Sequence, residues 1–490
     1  MKKVLLVTGR NAAGQVRKLS LGGKVHVCAI DVAALLSPAL ILKELLKQRL
    51  DGVDLIIVPG QVRGDVSVIE EATGVKCVKG TKHASDLQFL LDSISKIKLS
   101  SATPADELLK EKINQEVCRI ISKARSGGLK IGRRMRLLPI TQVIAEIPDA
   151  PMLSEKELIE KARYYVDSGA DVIDLGMVSG EDNSNRIGDM FQALRGELNC
   201  PISLDSVSET EILSAADYAD LILSVDYKNY GVVKSLDLPV VVIPRKADGT
   251  IPVEPKKRVL LLEKLVREVQ EHCPTIADPI LAPLNMGFSA SLRAFMDYRM
   301  RNPSDAMMLG AGNVTELFDA DSPGVNGVLA AVASELNINF VFTTEASSKT
   351  AGSVRELSTA VSMMYISKVR RQTPKDLGVS LLYLKDKVRL PEESLDLDGF
   401  EVVEAVPRRA ALQDSCFRIL LKDRNIIVLY YEKNKPKKTF VGASADLLCK
   451  SVCFSEKISC EHAAYLGREI SKAEIALKLG KNYVQDEELF

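Results

Sequence analysis

Short apolar runs alternate along the chain with longer stretches of helical periodicity, and their spacing predicts most of the elements. Between about residues 137 and 370 eight strand candidates recur: PITQVIAEI, ADVIDLG, CPISLDS, ADLILSVD, LPVVVIP, TIADPILAP, DAMMLGAG and INFVFTTEA, most of them followed by a helical pattern. A run such as Val172-Ile173-Asp174-Leu175 is nearly continuous in apolar character, as in a parallel strand covered on both faces. Ser154-Glu155-Lys156-Glu157 ahead of LIEKARYYVDSG reads as a capping box, with Gly169 at the far end of that helix. Eight βα units in about 235 residues match a (β/α)8 TIM barrel in count and size. An open doubly wound sheet is the alternative, because periodicity does not report closure.

The flanks follow other rhythms. Residues 1–95 predict a Rossmann-like α/β domain in which KVLLVTG, KVHVCAI, VDLIIVPG and VKCVKG alternate with PALILKELLKQRL and ASDLQFLLDSISKI. Residues 96–133 read as a linker and connecting helix, and 134–372 as the barrel. Residues 373–490 read as an α+β domain with strands GVSLLYLKD, GFEVVEAV, CFRILLKD and NIIVLYYEK, a turn at Asp423-Arg424-Asn425, and an amphipathic closing helix from Cys460. A domain of that last kind covers, gates or pairs neighbours, so a homodimer is one arrangement it supports.

Composition narrows the partners. The chain has 490 residues with 65 basic and 65 acidic side chains, so no global charge recruits nucleic acid. Apolar runs stop short of the roughly 18 residues that a membrane helix needs, and Met1-Lys2-Lys3 leads into a strand pattern rather than a signal peptide. No membrane partner and a cytoplasmic location are therefore expected. Nine scattered cysteines suit a reducing compartment. Cys449, Cys453, Cys460 and His462 are zinc-type donors, but their C-x3-C-x6-C-x-H spacing fits no standard finger, and core cysteines beside a helix start are the favoured reading. Gly9 and Gly14 bracket a loop with P-loop spacing, yet Gln15-Val16 stands where Lys-Ser/Thr would meet phosphate and magnesium.

In a barrel the carboxyl ends of the strands build the site. They would collect Glu146 and Asp149, Asp174, Asp205 and Ser206, Asp226, Arg245 and Lys246, Asp278 and Asn285, Asn313, and finally Glu345 and Lys349. Such an acidic, amide-rich floor suits a ligand that presents donors, for example the guanidine-like edge of a pterin, which a carboxylate grips with two parallel hydrogen bonds. Ser347, Lys349 and the turn containing Gly312 follow strands seven and eight, where barrels commonly hold phosphate.

GADVIDLG, PISLDS, ADLILSVD and ADPILAPLNMGF together resemble the dihydropteroate synthase and pterin-binding superfamily, and the flanking domains with GAGNVTELFDADSPGVNG resemble its archaeal-type relatives. The resemblance implies a pterin-binding barrel and a transferase that couples a dihydropterin-methyl (pyro)phosphate to an arylamine, in synthesis of a folate- or methanopterin-type cofactor. A non-catalytic pterin-binding or methyl-transfer partner protein is the alternative. Carried over by position, Asp205 and Asp278 match the ring-anchoring aspartates, and Asp174 matches an aspartate that is either a ring contact or an interior structural residue. Asp226, Asn285 and Asn313 complete the implied pterin set. The family's first-strand asparagine is replaced by AEIPDAP, which leaves Glu146 or Asp149 for a metal such as magnesium. The strand-four asparagine falls on Leu223 or Ser224, the strand-seven lysine is replaced by GNVTE, and Lys349 is the nearby cation at strand eight.

Overall fold

The computed structural model describes residues 3–19, 24–384, 415–422, 424–433, 435–456 and 458–489. They form two compact units, one comprising 1–346 with 352–383 and the other 347–351 with 384–490. The limits 1–95, 96–133, 134–372 and 373–490 stay our proposal for the domains.

The first unit opens with a parallel four-stranded sheet of β1 Val4–Thr8, β2 Lys24–Val27, β3 Leu55–Val58 and β4 Cys77–Lys79, in the order β2-β1-β3-β4. The helices between them are α1 Ala13–Leu19, α2 Pro38–Leu45 and α3 Ser67–Thr73. Period-two alternation sends Leu5, Val7, Ile56 and Val58 into one apolar layer and Leu6, Leu55, Ile57 and Val78 into the other. That two-sided burial explains the unbroken apolar runs. The loop at Gly9 packs tightly, since a Cβ there would meet Ile30 O, Asp31 O and Ala33 N at 2.9 Å. After α4 Leu87–Ser93, the connecting helix α5 Asp106–Ser126 leads to a short ribbon of β5 Leu129–Lys130 and β6 Arg136–Leu137.

Eight parallel strands then close into a barrel: β7 Gln142–Ile147, β8 Val172–Gly176, β9 Ile202–Asp205, β10 Leu221–Val225, β11 Val240–Val242, β12 Thr275–Ala277, β13 Ala306–Gly310 and β14 Phe340–Thr344, with β14 pairing back to β7. This is the TIM-type fold expected, and closure excludes the open sheet. The helices are α6 Glu155–Asp167, α7 Ser184–Glu197, α8 Glu209–Ala215, α9 Pro255–Val269, α10 Phe288–Arg301, the short α11 Gly312–Thr315, α12 Ser322–Glu335 and α13 Ser353–Arg370. The capping box is formed on α6, where Ser154 Oγ accepts from Glu157 N while Glu157 Oε2 accepts from Ser154 N at 2.9 Å. Alternate strand residues face the helices (Val143, Ala145, Ile173, Leu175) or the interior, where Ile144, Val172, Leu221, Leu223, Val241, Ile276, Met308 and Phe340 pack together with Met135 from the ribbon. The barrel interior is thus a solid apolar plug.

The second unit contains an antiparallel sheet of β15 Ser415–Lys422, β16 Asn425–Glu432 and β17 Lys435–Gly442, with α14 Ala445–Ser455 and α15 Cys460–Leu479. Ile426, Val428 and Tyr430 alternate into a core with Leu448, Val452, Leu466 and Ile470. The predicted hairpin is present, with Lys422 paired to Asn425 and Arg424 at a positive φ of 60°, while Asp423 lies outside the described residues. Strand β17 was not anticipated because KPKKTFVG looks too polar, yet lysine and proline are what a sheet edge tolerates. Of the two remaining strand expectations, GFEVVEAV lies outside the described residues. GVSLLYLKD is corrected over 378–384, which form no strand: Leu377 and Val379 pack instead with Val117 and Ile366 on α5 and α13. Cys449 and Cys453 sit on α14, and Cys460 and His462 on the first turn of α15, where the His462 ring meets Phe417 edge-on at 5.6 Å.

A buried ion pair joins the N-terminal sheet region to the last barrel helix, Arg370 Nη1 lying 3.0 Å from Asp86 Oδ1. Both side chains are almost fully buried. Burial dominates the guanidinium's attraction here and pushes Asp86 up to about 6. Removing one partner strands the other, so Arg370→Leu is expected to cost about 3–5 kcal/mol, with Asp86→Asn in the same chain recovering part of the loss, as read by urea unfolding.

Candidate functional site

Strand period and ladder register assemble the site at the carboxyl end of the barrel. Glu146 lies two residues beyond Ile144, Asp174 two beyond Val172 and Thr344 two beyond Phe342, so all three side chains continue interior columns. Register then sets them side by side: Thr344 pairs with Glu146, Glu146 with Asp174, Asp174 with Ser203, and Asp205 with both Gly176 and Leu223. Carboxylate oxygens of Glu146, Asp174 and Asp205 converge within 4.8 Å of one another.

Each acid has a distinct environment. Asp174 is wholly buried; Ser203 Oγ donates to its Oδ1 at 2.6 Å, and its Oδ2 has no hydrogen-bond partner among the described residues. Burial, then the charges of Asp205 and Glu146, raise its pKa well above the carboxylate range. Asp205 is also raised by burial, against the Ser224 hydroxyl and Arg245, which favour its ionised form. Glu146 is pushed up to about 7, first by burial and then by Asp205. Asp278, just after β12, is likewise pushed up to about 7 by burial, opposed by the Ile280 N–H that donates to its Oδ1 at 2.7 Å and by Arg258. Gly176 clears the space: a Cβ there would stand 2.5 Å from Glu146 Oε1.

Left-handed backbone also occurs at the same rim. Asp149, Ser224, Ile280 and Asn285 all have positive φ, between 49° and 65°. For the β-branched Ile280 this is a costly conformation. Arg258, buried on α9, donates to Ile280 O at 2.9 Å and to Pro252 O at 2.7 Å, holding the strained loop in place. At Ser224 the ladder between β10 and β11 slips, and the residue turns its hydroxyl toward Asp205.

The other expected residues are placed differently. Asp226 is buried and its carboxylate is engaged: Oδ1 accepts from Lys228 N at 2.7 Å and from Asn229 N, and Oδ2 accepts from Arg245 Nε. It therefore organises the loop after β10. Asn313 Nδ2 donates to Leu281 O at 2.9 Å, tying the loops after β12 and β13. Asn285 and Asp149 are exposed, Asp149 at the start of a 3-10 turn over Ala150–Met152. Gly312 opens α11 directly after β13. Ser347 and Lys349 belong to the second compact unit. Ser203, Ser224, Thr344 and Arg258 were not selected from sequence as site residues. For Ser224 a signal existed, since it is one of the two positions on which the family's strand-four asparagine falls.

As a metal set, Glu146, Asp174 and Asp205 offer hard oxygen ligands of the kind divalent cations of the magnesium class accept. The partnerless Asp174 Oδ2 fits either such an ion or a donor-rich ligand edge. Because burial and neighbouring charge oppose ionisation, Glu146 adds most to stability while protonated, below its ordinary carboxylate range, and that contribution is lost as pH rises through about 7. Glu146→Gln should consequently raise unfolding stability above pH 7 by about 1–3 kcal/mol and change it little at pH 4. Urea unfolding at the two pH values measures this, and equal effects at both would rule out the repulsion.

Residues 148–276 match the family described as Pterin binding enzyme, and residues 413–486 match the one described as PterinBD-DUF4346. Uncharacterized protein MJ0107 of Methanocaldococcus jannaschii is 37% identical over an alignment of 532 positions, covering 100% of this chain and 99% of the relative. The Ycf91-like protein of Nostoc sp. is 29% identical over 114 residues, covering 20% of this chain and 90% of that protein. Among solved structures, Yersinia pestis dihydropteroate synthase with a pterine–sulfa conjugate covers 49% of this chain and 98% of its own at 14% identity and a TM-score of 0.40. The Thermus thermophilus enzyme in complex with 6HMPPP covers 47% and 96% at 18% identity and a TM-score of 0.36. The end-to-end relative and the family match over residues 148–276 have one conclusion: the chain belongs to the pterin-binding, dihydropteroate-synthase-like family.

Proposed function

We propose that the barrel binds a pterin at its mouth, with Asp205 and Asp278 gripping the guanidine-like edge, and acts as a transferase of the dihydropteroate synthase type. The observation that carries this reading is the convergence of carboxyl groups at adjoining strand ends above an apolar plug. The reaction couples a dihydropterin-methyl (pyro)phosphate to an arylamine, in folate- or methanopterin-type cofactor synthesis. The exocyclic C–O bond breaks, the (pyro)phosphate leaves with the electron pair, and the arylamine nitrogen forms the new C–N bond and gives up a proton. Positive charge develops on the exocyclic carbon, and an acidic, water-poor floor stabilises it electrostatically. Glu146, with its acidity moved to about 7, is suited to accept the amine proton. Asp174 supports the ring from below, Asn285 and Asn313 border it, and Asp226 steadies the rim. Gly312, directly after the seventh strand, is the proposed phosphate contact on the barrel. Where a magnesium-class ion is bound, Glu146, with Asp149 as a second contact, would hold it in place of accepting the proton, and the ion would supply charge neutralisation for the departing group.

A second reading, a pterin-binding or methyl-transfer protein that works against a partner, is favoured by the loops around the mouth. Met152, Val207, Tyr227, Val253, Met286 and Leu317 follow β7 and β9 to β13, six of the eight barrel strands, and all are exposed, from 40% to 75%. Apolar residues spread over so many adjoining loops suit contact with another surface. The two readings separate when the protein is incubated with dihydropterin-methyl pyrophosphate and candidate arylamines: pyrophosphate release is expected for the transferase, and tight pterin binding without release supports the partner protein.

Asp205→Asn should weaken binding of a reduced pterin by about 10–100-fold in calorimetric titration, the value of a charge-assisted bond pair. Affinity should also rise with pH through about 7, because Asp278 accepts two hydrogen bonds only once it is ionised. An unchanged affinity in Asp205→Asn would dismiss the ring assignment.

A further inference from the structure

A second chemical cluster lies in the N-terminal sheet region, away from the barrel strands. His26 on β2 and Cys28 just beyond it are two residues apart, so a strand presents both side chains on one face. Glu44, on the last turn of α2, comes over that face: its Oε2 lies 3.2 Å from His26 Nε2, and its Oε1 accepts from Ala29 N at 3.2 Å. One imidazole nitrogen, the Cys28 sulfur and a Glu44 oxygen all fall within 4.8 Å of one another. On the far side of the imidazole, Gln48 meets Nδ1 at 3.1 Å.

We propose that His26, Cys28 and Glu44 form a binding site for a divalent transition-metal ion of the zinc class. Bonds of about 2.0–2.3 Å in a tetrahedral zinc site set ligand atoms about 3.3–3.8 Å apart, so a cluster within 4.8 Å closes on an ion when its separations shorten by at most about 1.5 Å, which side-chain rotation supplies. Thiolate and imidazole donors select zinc or cobalt over magnesium or calcium. Gln48 supplies the outer-shell contact such a histidine requires: turned so that its carbonyl accepts from Nδ1–H, it fixes the tautomer that leaves the Nε2 lone pair for metal. Charge and protons balance without redox chemistry. The thiol proton leaves to solvent, the neutral imidazole keeps its single proton on Nδ1, and two anionic ligands neutralise the dication. Cys28 is fully buried, whereas the His26 and Glu44 side chains each stay 17% exposed, which leaves an entry path and a coordination position for water. The site lies at the carboxyl edge of the sheet, where open parallel sheets hold ligands.

Cobalt(II) titration of the metal-free full-length chain tests the assignment. One equivalent should bind with a sulfur-to-cobalt charge-transfer band and the visible bands of tetrahedral cobalt, and zinc should displace it. Cys28→Ser and His26→Gln should abolish the sulfur band or the tetrahedral spectrum, Gln48→Ala should weaken affinity by about 10–100-fold, and Cys453→Ser should change neither. Circular dichroism identifies any variant that fails to fold, and Gln48→Ala, which touches no ligand bond, keeps the test valid in that case. Absence of a sulfur band from the wild type, its persistence in folded Cys28→Ser, or its loss in Cys453→Ser would overturn the proposal.

Discussion

The mouth of the barrel is governed by one constraint, the parallel register of β7, β8, β9 and β14. Register sets Thr344 beside Glu146, Glu146 beside Asp174 and Asp174 beside Ser203, and strand period turns all four inward above the apolar plug. Acids held this close cannot all ionise without a counter-charge or a donor-rich ligand. Serine and threonine hydroxyls from the adjoining strands satisfy part of that demand and leave Asp174 Oδ2 without a partner. A site under such electrostatic load accepts a ligand edge of N–H groups at little reorganisation, because the acceptors are already aimed.

The same strands carry carboxylates at their opposite ends with a different task. Asp171, just before β8, accepts from Val143 N at 2.9 Å and from Arg125; Asp220, just before β10, accepts from Ile202 N at 2.9 Å and from Arg195. These pairs stitch the base of the barrel. GADVIDLG and YADLILSVD therefore each contain one stitching aspartate and one at the mouth, and only position along the strand tells them apart.

The fold was largely legible because buried parallel strands leave continuous apolar runs, and eight of them with intervening helical periodicity admit few architectures. Legibility failed where packing contradicts local pattern. Residues 378–384 look like a strand but form none, Val379 packing with Val117 and Ile366 on α5 and α13, and β17 looks like a polar loop but forms a sheet edge. At the site, Asp174, Asp205, Asp278 and Glu146 were visible as charges at the ends of apolar runs. Ser203, Ser224 and Thr344 were not, because a hydroxyl in a strand carries no signal until register shows what stands beside it. Asp226 looked like a ligand contact for the converse reason: its engagement with Arg245 and with two backbone N–H groups depends on a turn that no local pattern announces.

Gly176 and Glu146 constrain how this mouth can diversify over evolutionary time. A Cβ at 176 would stand 2.5 Å from Glu146 Oε1, the far end of a flexible side chain, so a larger residue there requires the glutamate to swing aside or be shortened. The two positions are therefore coupled. Keeping glycine at 176 leaves the glutamate where it stands beside Asp174 and Asp205, so a change at 176 alters the acidic floor without touching an acid.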